Sequence, residues 1–323
     1  MGERLVDVYL VTYNRAAYLK ESIRSILGQS YKEFNLIILD NCSDDDTREI
    51  VESFFDSRLS YIRHEKNIGG LENINFAIKH AESKYFLVFH DDDIMHETLI
   101  QEEIEIMEKN PEISMLSCRC DIIDENKNRI HGGKCTGNLD QYKDGEFFEA
   151  YIKEHRFILF PSIIYRREFI RKNLICLNCS VGPSADVYMC FEIEKRGGVI
   201  AIFDRTLMSY RKHGAQDSSQ HRVDMIVKLF KALGQDLYYS QLLKKNKEGQ
   251  KSYYRWLMHN EICMIQSKLT SCEDAENAQK EYESVIYHSI LDHVKYKVII
   301  LDEKYFIISR IAYWLIKKLR RQD

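Results

Sequence analysis

The sequence predicts an α/β fold, a sheet of βαβ units covered by helices and followed by a helical C-terminal region. Three observations carry this. Over roughly the first two hundred residues, short apolar runs alternate with amphipathic stretches, the signature of strands and helices in succession. After about Ser219 the alternation stops and the pattern reads helical throughout. The length, 323 residues and 38.3 kDa, suits two domains or one domain with a sizeable extension.

The elements follow in order. Val6–Val11 reads as a strand, Ala16–Leu27 as a helix, Phe34–Leu39 as a strand and Asp46–Phe55 as a helix. Leu59–Arg63 is a third strand, Leu71–Ala81 a helix, and Tyr85–Phe89 a buried strand. Glu97–Lys109 is a helix stopped by Asn110-Pro111, because the residue before proline is driven out of helical geometry. Ile113–Ser117 opens the next strand, and about Asp121–Asp144 is polar and glycine-containing, a long loop of the kind that often carries function. Ile158–Tyr165, the helix-like Asp186–Lys195 and the strand Val199–Phe203 complete the pattern. Beyond a boundary placed near 214–221, Val223–Leu243 sets Ile226, Leu229, Phe230, Leu233 and Leu237 on one apolar stripe. Lys251–Leu269, Ala275–Val294 and Lys304–Arg321 are further helices, giving domains 1–215 and 216–323.

Composition narrows the function. With 45% hydrophobic and 30% charged residues, the chain is neither a disordered sequence nor a multi-span membrane protein. A net charge of −4 argues against a dedicated nucleic-acid binder. Nine cysteines cannot close a complete disulfide framework. Cys118-x-Cys120 with Cys176-x-x-Cys179 could form a four-thiolate zinc site, but both pairs lie in apolar, strand-like surroundings that suit free buried thiols. Residues 1–10 hold no apolar run of signal-peptide length, so a cytoplasmic location is the expectation.

In an open α/β sheet, ligands bind at the carboxyl ends of the strands. Polar clusters collect there: Thr12-Tyr13-Asn14-Arg15 after the first strand, Asp40-Asn41 after the second, and His90-Asp91-Asp92-Asp93 after Tyr85–Phe89. Three carboxylates following an apolar strand need solvent or a cation, and hard oxygen ligands favour Mg²⁺ or Mn²⁺. An acidic turn capping the following helix is the competing reading. Asp44-Asp45-Asp46 reads as helix capping, since acidic groups complement a helix N-terminus. Neither GxGxxG after strand one nor GxxxxGK[ST] is present, so dinucleotide and P-loop chemistry lack support.

In this order and spacing, the clusters resemble the inverting glycosyltransferases of family 2, with their GT-A type, Rossmann-like mixed sheet, including members that build bacterial surface polysaccharides. The matching stretches are Val11–Arg15, Leu27-Gly28-Gln29-Ser30, Asp40, Asn67-Ile68-Gly69-Gly70, the acidic triplet with Ile94-Met95-His96, Asp186, and Tyr210-Arg211-x-His213. They span about residues 5–215. The resemblance implies that Thr12 and Tyr13 cradle the nucleotide, with Asn14 and Arg15 beside them and Asp40 at a uracil-like edge. It implies that Asn41, Asn67, Gly69 and Asp91 line the nucleotide-sugar site and that Arg211 lies near the diphosphate. Asp92 would hold Mn²⁺ or Mg²⁺ with His213, with Asp93 and His90 as secondary candidates. His90 replaces the first Asp of an Asp-x-Asp motif, and Ile74 stands where many members place an arginine. Asp186 would be the catalytic base, although an Asp near Pro183 also suits a helix cap.

The expected activity is transfer of a sugar from a nucleotide sugar, UDP-linked by this resemblance, to a hydroxyl of a glycan or lipid-linked glycan. A sugar nucleotidyltransferase and a non-catalytic glycan- or lipid-binding scaffold are the alternatives. Segment 304–321 alternates apolar and aromatic residues with a basic end, and its longest apolar run, Ile311–Ile316, is too short to span a bilayer. It can lie on an anionic leaflet as a peripheral contact, at the inner face of the cell membrane, or pack on neighbouring helices. Residues 303–323 carry a net +4, which leaves −8 on the other 302.

Overall fold

The computed structural model describes residues 4–154, 156–214 and 222–246, together with 249, 252 and 253. The chain divides into two compact units, Met1–Gln220 and His221–Asp323. The first is built on a ten-stranded mixed sheet. Its strands are β1 (Val6–Thr12), β2 (Phe34–Asp40), β3 (Leu59–Arg63), β4 (Tyr85–His90), β5 (Ile94–Met95), β6 (Ile113–Ile123), β7 (Arg129–His131), β8 (Leu139–Tyr142), β9 (Ile163–Arg166) and β10 (Val199–Arg211). Their order is β3-β2-β1-β4-β9-β6-β10-β5, with β7 on β6 and β8 on β10. Strands β3, β2, β1 and β4 run parallel, β9 is antiparallel to both β4 and β6, and β6 and β10 are parallel.

Helices α1 (Ala16–Leu27), α2 (Thr47–Glu52), α3 (Gly70–His80), α4 (Leu99–Lys109), α5 (Glu146–Glu154), α6 (Arg167–Lys172) and α7 (Ala185–Lys195) fill the connections. Val6, Val8 and Leu10 of β1 pack with Leu36 and Ile38 of β2 and with Leu19, Ile23 and Ile26 of α1 in one buried cluster. Leu99, Ile100, Ile104 and Met107 of α4 join the same cluster. Tyr9, Ile37, Leu39, Phe86 and Val88, which alternate with them, are buried too. Burial of both faces is why these strands read as unbroken apolar runs.

Several elements differ from the sequence expectation. The polar stretch 121–144 is not one loop: β6 runs on to Ile123, and β7 and β8 pair with β6 and β10. These strands sit on solvated edges, and β7 is exposed throughout, so they leave no apolar period to read. β10 extends eight residues past Phe203, because its register shifts between Phe203 and Thr206 and again before Met208, and pairing then resumes. Asp204 and Arg205 lie at that irregularity and broke the apolar pattern. The run Ile158–Tyr165, expected as regular structure, splits into a 3₁₀ turn, Phe160–Ser162, where Pro161 offers no N–H for a ladder, and the strand β9. Helices α5 and α6 were not expected.

In the second unit, the single helix expected over Val223–Leu243 is two, α8 (Arg222–Gln235) and α9 (Leu237–Lys245). Asp236 is extended between them, and its side chain accepts the Tyr238 N–H. An Asp that caps competes with helix continuation. Leu229, Phe230 and Leu233 of the stripe are buried, whereas Leu237, beyond the break, is exposed. The expected helices over 275–294 and 304–321 lie outside the described residues. Among the described residues, no helix is long and apolar enough to cross a membrane.

Candidate active site

Parallel pairing brings the polar clusters to one edge. Thr12 pairs with Asp40, and Val11 with His90. The strand order reverses direction at β1, between β2 and β4, the kind of point at which open α/β sheets bind ligands. Arg15 of the 12–15 segment reaches Asp91 and Asp92 there.

The 12–15 turn is locked from β2. Asn14 is in the left-handed region, φ 51°; its N–H donates to Ser43 Oγ at 2.9 Å and its side-chain oxygen accepts the Asp44 N–H. Asp45 accepts the Ala16 N–H and the Thr47 hydroxyl and N–H, so one carboxylate caps the starts of α1 and α2. Burial pushes its pKa up, but these hydrogen bonds outweigh it and hold the carboxyl below its ordinary range. Helix capping, as read from the sequence, is thus what Asp45 does. Asp40 is fully buried and fully engaged. One oxygen accepts the Ser43 N–H and hydroxyl, and the other accepts Tyr61 Oη at 2.6 Å and pairs with Arg63 at 3.4 Å. A hydrogen bond from a nucleobase would require one of these donors to leave. Asn41 donates to Asn67 and accepts the Ile68 N–H, while Asn67 also accepts the Gly69 N–H. Gly69 (φ 88°) then starts α3. Thr12 is buried and Tyr13 is 43% exposed, open to a ligand.

The acidic run is buried, not a solvated turn: Asp91, Asp92 and Asp93 are each at most 3% exposed. Arg15 Nη1 lies 2.9 Å from Asp92 Oδ2 and 3.4 Å from Asp91 Oδ1. His213 Nε2 sits 2.9 Å from the same Asp92 oxygen. Asp93 accepts the Arg211 N–H, and Arg211 Nε donates to the Asp92 carbonyl. One oxygen of each Asp, with the Thr12 hydroxyl, is buried without a hydrogen-bond partner. Such orphans are costly unless a ligand completes them. His90, Asp92 and Asp93 offer ligand atoms all within 4.8 Å of one another, the one such cluster among the described residues. Burial and the Asp92 charge push Asp91 up to about 7. Asp93 is raised for the same two reasons. Asp92 is lowered, because His90, His213 and Arg15 overcome its burial.

Asp186 lies in the first turn of α7, behind the turn Cys179–Ser184 in which Gly182 adopts φ 70°, ψ −144°. Ser184, not Asp186, is the N-cap residue; Asp186 accepts the neighbouring Val187 N–H. It faces a small recess lined by Phe147, Tyr151, Phe160, Ile163 and Cys190. Burial pushes its pKa up to about 6. The His90 ring lies 6.0 Å from that of Phe160, so this recess adjoins the acidic cluster. A raised carboxyl beside a cluster of carboxylates with open oxygens can take a proton near a cation-stabilised anion.

Arg211, a candidate from the sequence, is 1% exposed and ends β10, beyond the strand expected over Val199–Phe203; some residues around it had no sequence signal. Its guanidinium donates to Glu21 and to the Glu125 carbonyl and lies over Tyr18, whose ring is 5.0 Å from His213. Glu21, Tyr18, Ser43 and Tyr61 belong to no motif; helix phase puts Tyr18 and Glu21 three apart on one side of α1. Gln29 has its function explained: its amide holds the His96 carbonyl and the Ile100 N–H, tying α1 to α4. Cys118 is a buried free thiol as expected, but Cys176 and Cys179 are exposed, one in irregular chain and the other opening the turn before α7, and neither is in a strand.

The comparisons place the chain in a family. The model of glycosyl transferase family 2 matches residues 7–174. An uncharacterized glycosyltransferase of Haemophilus influenzae is 26% identical over 306 residues, covering 91% of this chain and 88% of its own. Another, from Methanocaldococcus jannaschii, is 33% identical over 53% of this chain and 59% of its own. An Escherichia coli UDP-Glc:alpha-D-GlcNAc-diphosphoundecaprenol beta-1,3-glucosyltransferase, WfgD, is 32% identical over 39% of this chain and 49% of its own. Among solved structures, S. aureus TarS in complex with UDP-GlcNAc has the same fold, with a TM-score of 0.64 at 14% identity over 93% of this chain and 91% of that one. A mannosyltransferase of Pyrobaculum calidifontis in complex with GDP-Man and Mn²⁺ aligns with a TM-score of 0.58 at 14% identity over 93% and 86%. With this edge of the sheet and these matches together, the chain belongs to glycosyl transferase family 2 and is a glycosyltransferase with the GT-A type fold.

Proposed function

We propose that the enzyme is a metal-dependent inverting transferase that moves a sugar from a UDP-linked donor to a hydroxyl of a glycan or lipid-linked glycan in surface polysaccharide synthesis. The observation that carries this is the set of three buried carboxylates, each with one unpartnered oxygen, beside the recess of Asp186. The residues fit a divalent cation: Asp92 and Asp93 offer hard oxygens and His90 an imidazole, a set suited to Mn²⁺ or Mg²⁺. His213 shares Asp92 and is a further ligand candidate. The cation, when bound, stabilises negative charge developing on the departing diphosphate.

The rest is done by the chain. Tyr13 lies against the base, Thr12 and Asp91 face the ribose and sugar, and Asn41, Asn67 and Gly69 shape the wall beside them. Asp40 holds Ser43 and Tyr61 and so fixes that wall. Asp186 accepts the proton of the acceptor hydroxyl as its oxygen attacks the anomeric carbon from the face opposite the diphosphate. Attack from that side inverts the configuration.

The acceptor class is supported by WfgD, whose name specifies a diphosphoundecaprenol-linked sugar, and by a putative teichuronic acid biosynthesis glycosyltransferase of Bacillus subtilis, 30% identical over 32% of this chain and 42% of its own. The basic 304–321 segment would bring the enzyme to the cytoplasmic face of the membrane that carries such lipids. A thermal-shift screen of nucleotide sugars with and without Mn²⁺ tests the donor, since a ligand of the native state raises the midpoint. UDP sugars should shift it only, or most, with Mn²⁺. A response to GDP sugars alone, or one indifferent to metal, would refute the reading. Asp92→Ala should abolish both the Mn²⁺-dependent shift and transfer while the protein stays folded; full activity would remove Asp92 from the site.

A further inference from the structure

We propose that helix α3 holds the general base in register with the donor, and that its Asn75 is the positioning residue through which it does so. This rests on the reading of Asp186 as the base. Helix α3 is tied on two sides. On one, Asn73, 2% exposed, donates to the Leu39 carbonyl at the end of β2 at 3.2 Å and meets His64 Nε2 at 2.9 Å. The chain entering α3 is held to the same place, because Asn41 donates to Asn67 and accepts the Ile68 N–H. This side of the helix is therefore fixed to the strand end that carries Asp40.

On the other side, about 200° round the helix, is Asn75, 3% exposed. Its Oδ1 accepts the Leu177 N–H at 2.8 Å, and its Nδ2 donates to the Leu177 carbonyl at 3.1 Å and lies 3.6 Å from Cys179 Sγ. An amide has a donor and an acceptor side by side, so it grips a peptide as a neighbouring strand would. Glu72, three residues earlier on the same face, accepts from Cys179 Sγ at 3.1 Å. From Leu177 the path to the base is short and internally bonded. The Asn178 side chain accepts the Ser180 N–H and hydroxyl, and its carbonyl accepts the Val181 N–H. The turn then ends at Ser184, the N-cap residue of α7, whose first turn holds Asp186. Asn73 and Asn75 thus set, through one rigid helix, how far the base stands from the donor wall.

A base displaced by about 1 Å can cost about 10²-fold in rate while the donor still binds. The test compares wild type, Asn75→Ala, Asp186→Asn and the double variant, each as the full chain. UDP release is followed from UDP-glucose, UDP-galactose and UDP-GlcNAc with Mn²⁺, to a GlcNAc-diphospholipid acceptor and to water. Asn75→Ala should lower turnover by about 10²-fold and leave donor KM and the thermal shift by UDP with Mn²⁺ within about twofold of wild type. In the Asp186→Asn background the same change should remove less than about twofold more, since groups that act as a unit are not additive. A residue that only packs would lower both backgrounds alike. Melting temperatures show which variants fold. Asn75→Ser, smaller but still polar, replaces Asn75→Ala if that variant does not fold, and should show the same pattern with a loss of about fivefold or more. If neither folds, if turnover and KM worsen together, or if the loss is the same with and without Asp186, the role of Asn75 is overturned and the base stands. If Asp186→Asn turns over normally, or wild type releases no UDP from any of these sugars, the reading of the base falls, and this inference with it.

Discussion

At the scale of single residues, the site is defined by carboxyls with unlike protonation. Burial raises Asp186 to about 6, so a base at this position works only above that pH. The transfer rate at saturating substrates should climb as pH rises through about 6 and then level. Asp186→Asn should cut it by about 10² to 10⁴-fold with little change in donor binding. A variant with near-normal turnover would exclude Asp186 as the base. Stability should run the other way. Asp91 and Glu194 are raised to about 7 and Asp186 to about 6, each chiefly by burial. The folded chain therefore holds protons that an unfolded chain, titrating near 4, has given up. This stabilisation is complete at low pH and lost as pH rises through the 4 to 7 window. Metal-free protein should melt higher at pH 5.5 than at 7.5, and a flat or rising profile would contradict these assignments. Asp56 and Asp204, lowered to about 2, act only on the acid side of that window. Much at this scale was legible: Thr12, Asn14, Asp92 and His213 stand in recognisable order, and the structure brings them to one edge. Tyr18, Glu21, Ser43 and Tyr61 were not, because they act by holding other side chains, and a lone Tyr or Ser in an amphipathic run looks like any other.

At the scale of elements, legibility followed burial except at β3, a half-exposed edge strand that was nonetheless read to the residue. Strands covered on both faces announced themselves as apolar runs, and β1, β2 and β4 were read nearly to the residue. Edge strands β7 and β8, pinned by backbone pairing, carry no such run. The turn before α7 shows a second kind of hidden instruction. Gly182 adopts φ 70°, ψ −144°, a region closed to residues with a Cβ, and Pro183 follows it. Together they set where α7 begins and hence where Asp186 points. Gly182→Ala should cost about 1–3 kcal/mol of stability and lower turnover by more than donor affinity. Unchanged kinetics would show that the turn does not position Asp186.

At the scale of the whole molecule, β10 has a use beyond delivering Arg211 to the site. Its first half pairs with β8, its second half with β5, and β6 runs along its other side. The sequence suggested a five-residue strand here, because Asp204 and Arg205 mask the continuation. A strand sewn in from Val199 to Arg211 sets a seam for exchange between relatives. A hybrid that keeps residues 1–220, the whole first unit, and takes the remainder from another family member should retain the parent's nucleotide and Mn²⁺ binding in a thermal-shift assay. A hybrid joined at Asp204 would tear the strand at its irregular point and should not fold. Should the first hybrid bind as its parent does, the donor-handling part of the chain is inherited as one block that ends with the first unit.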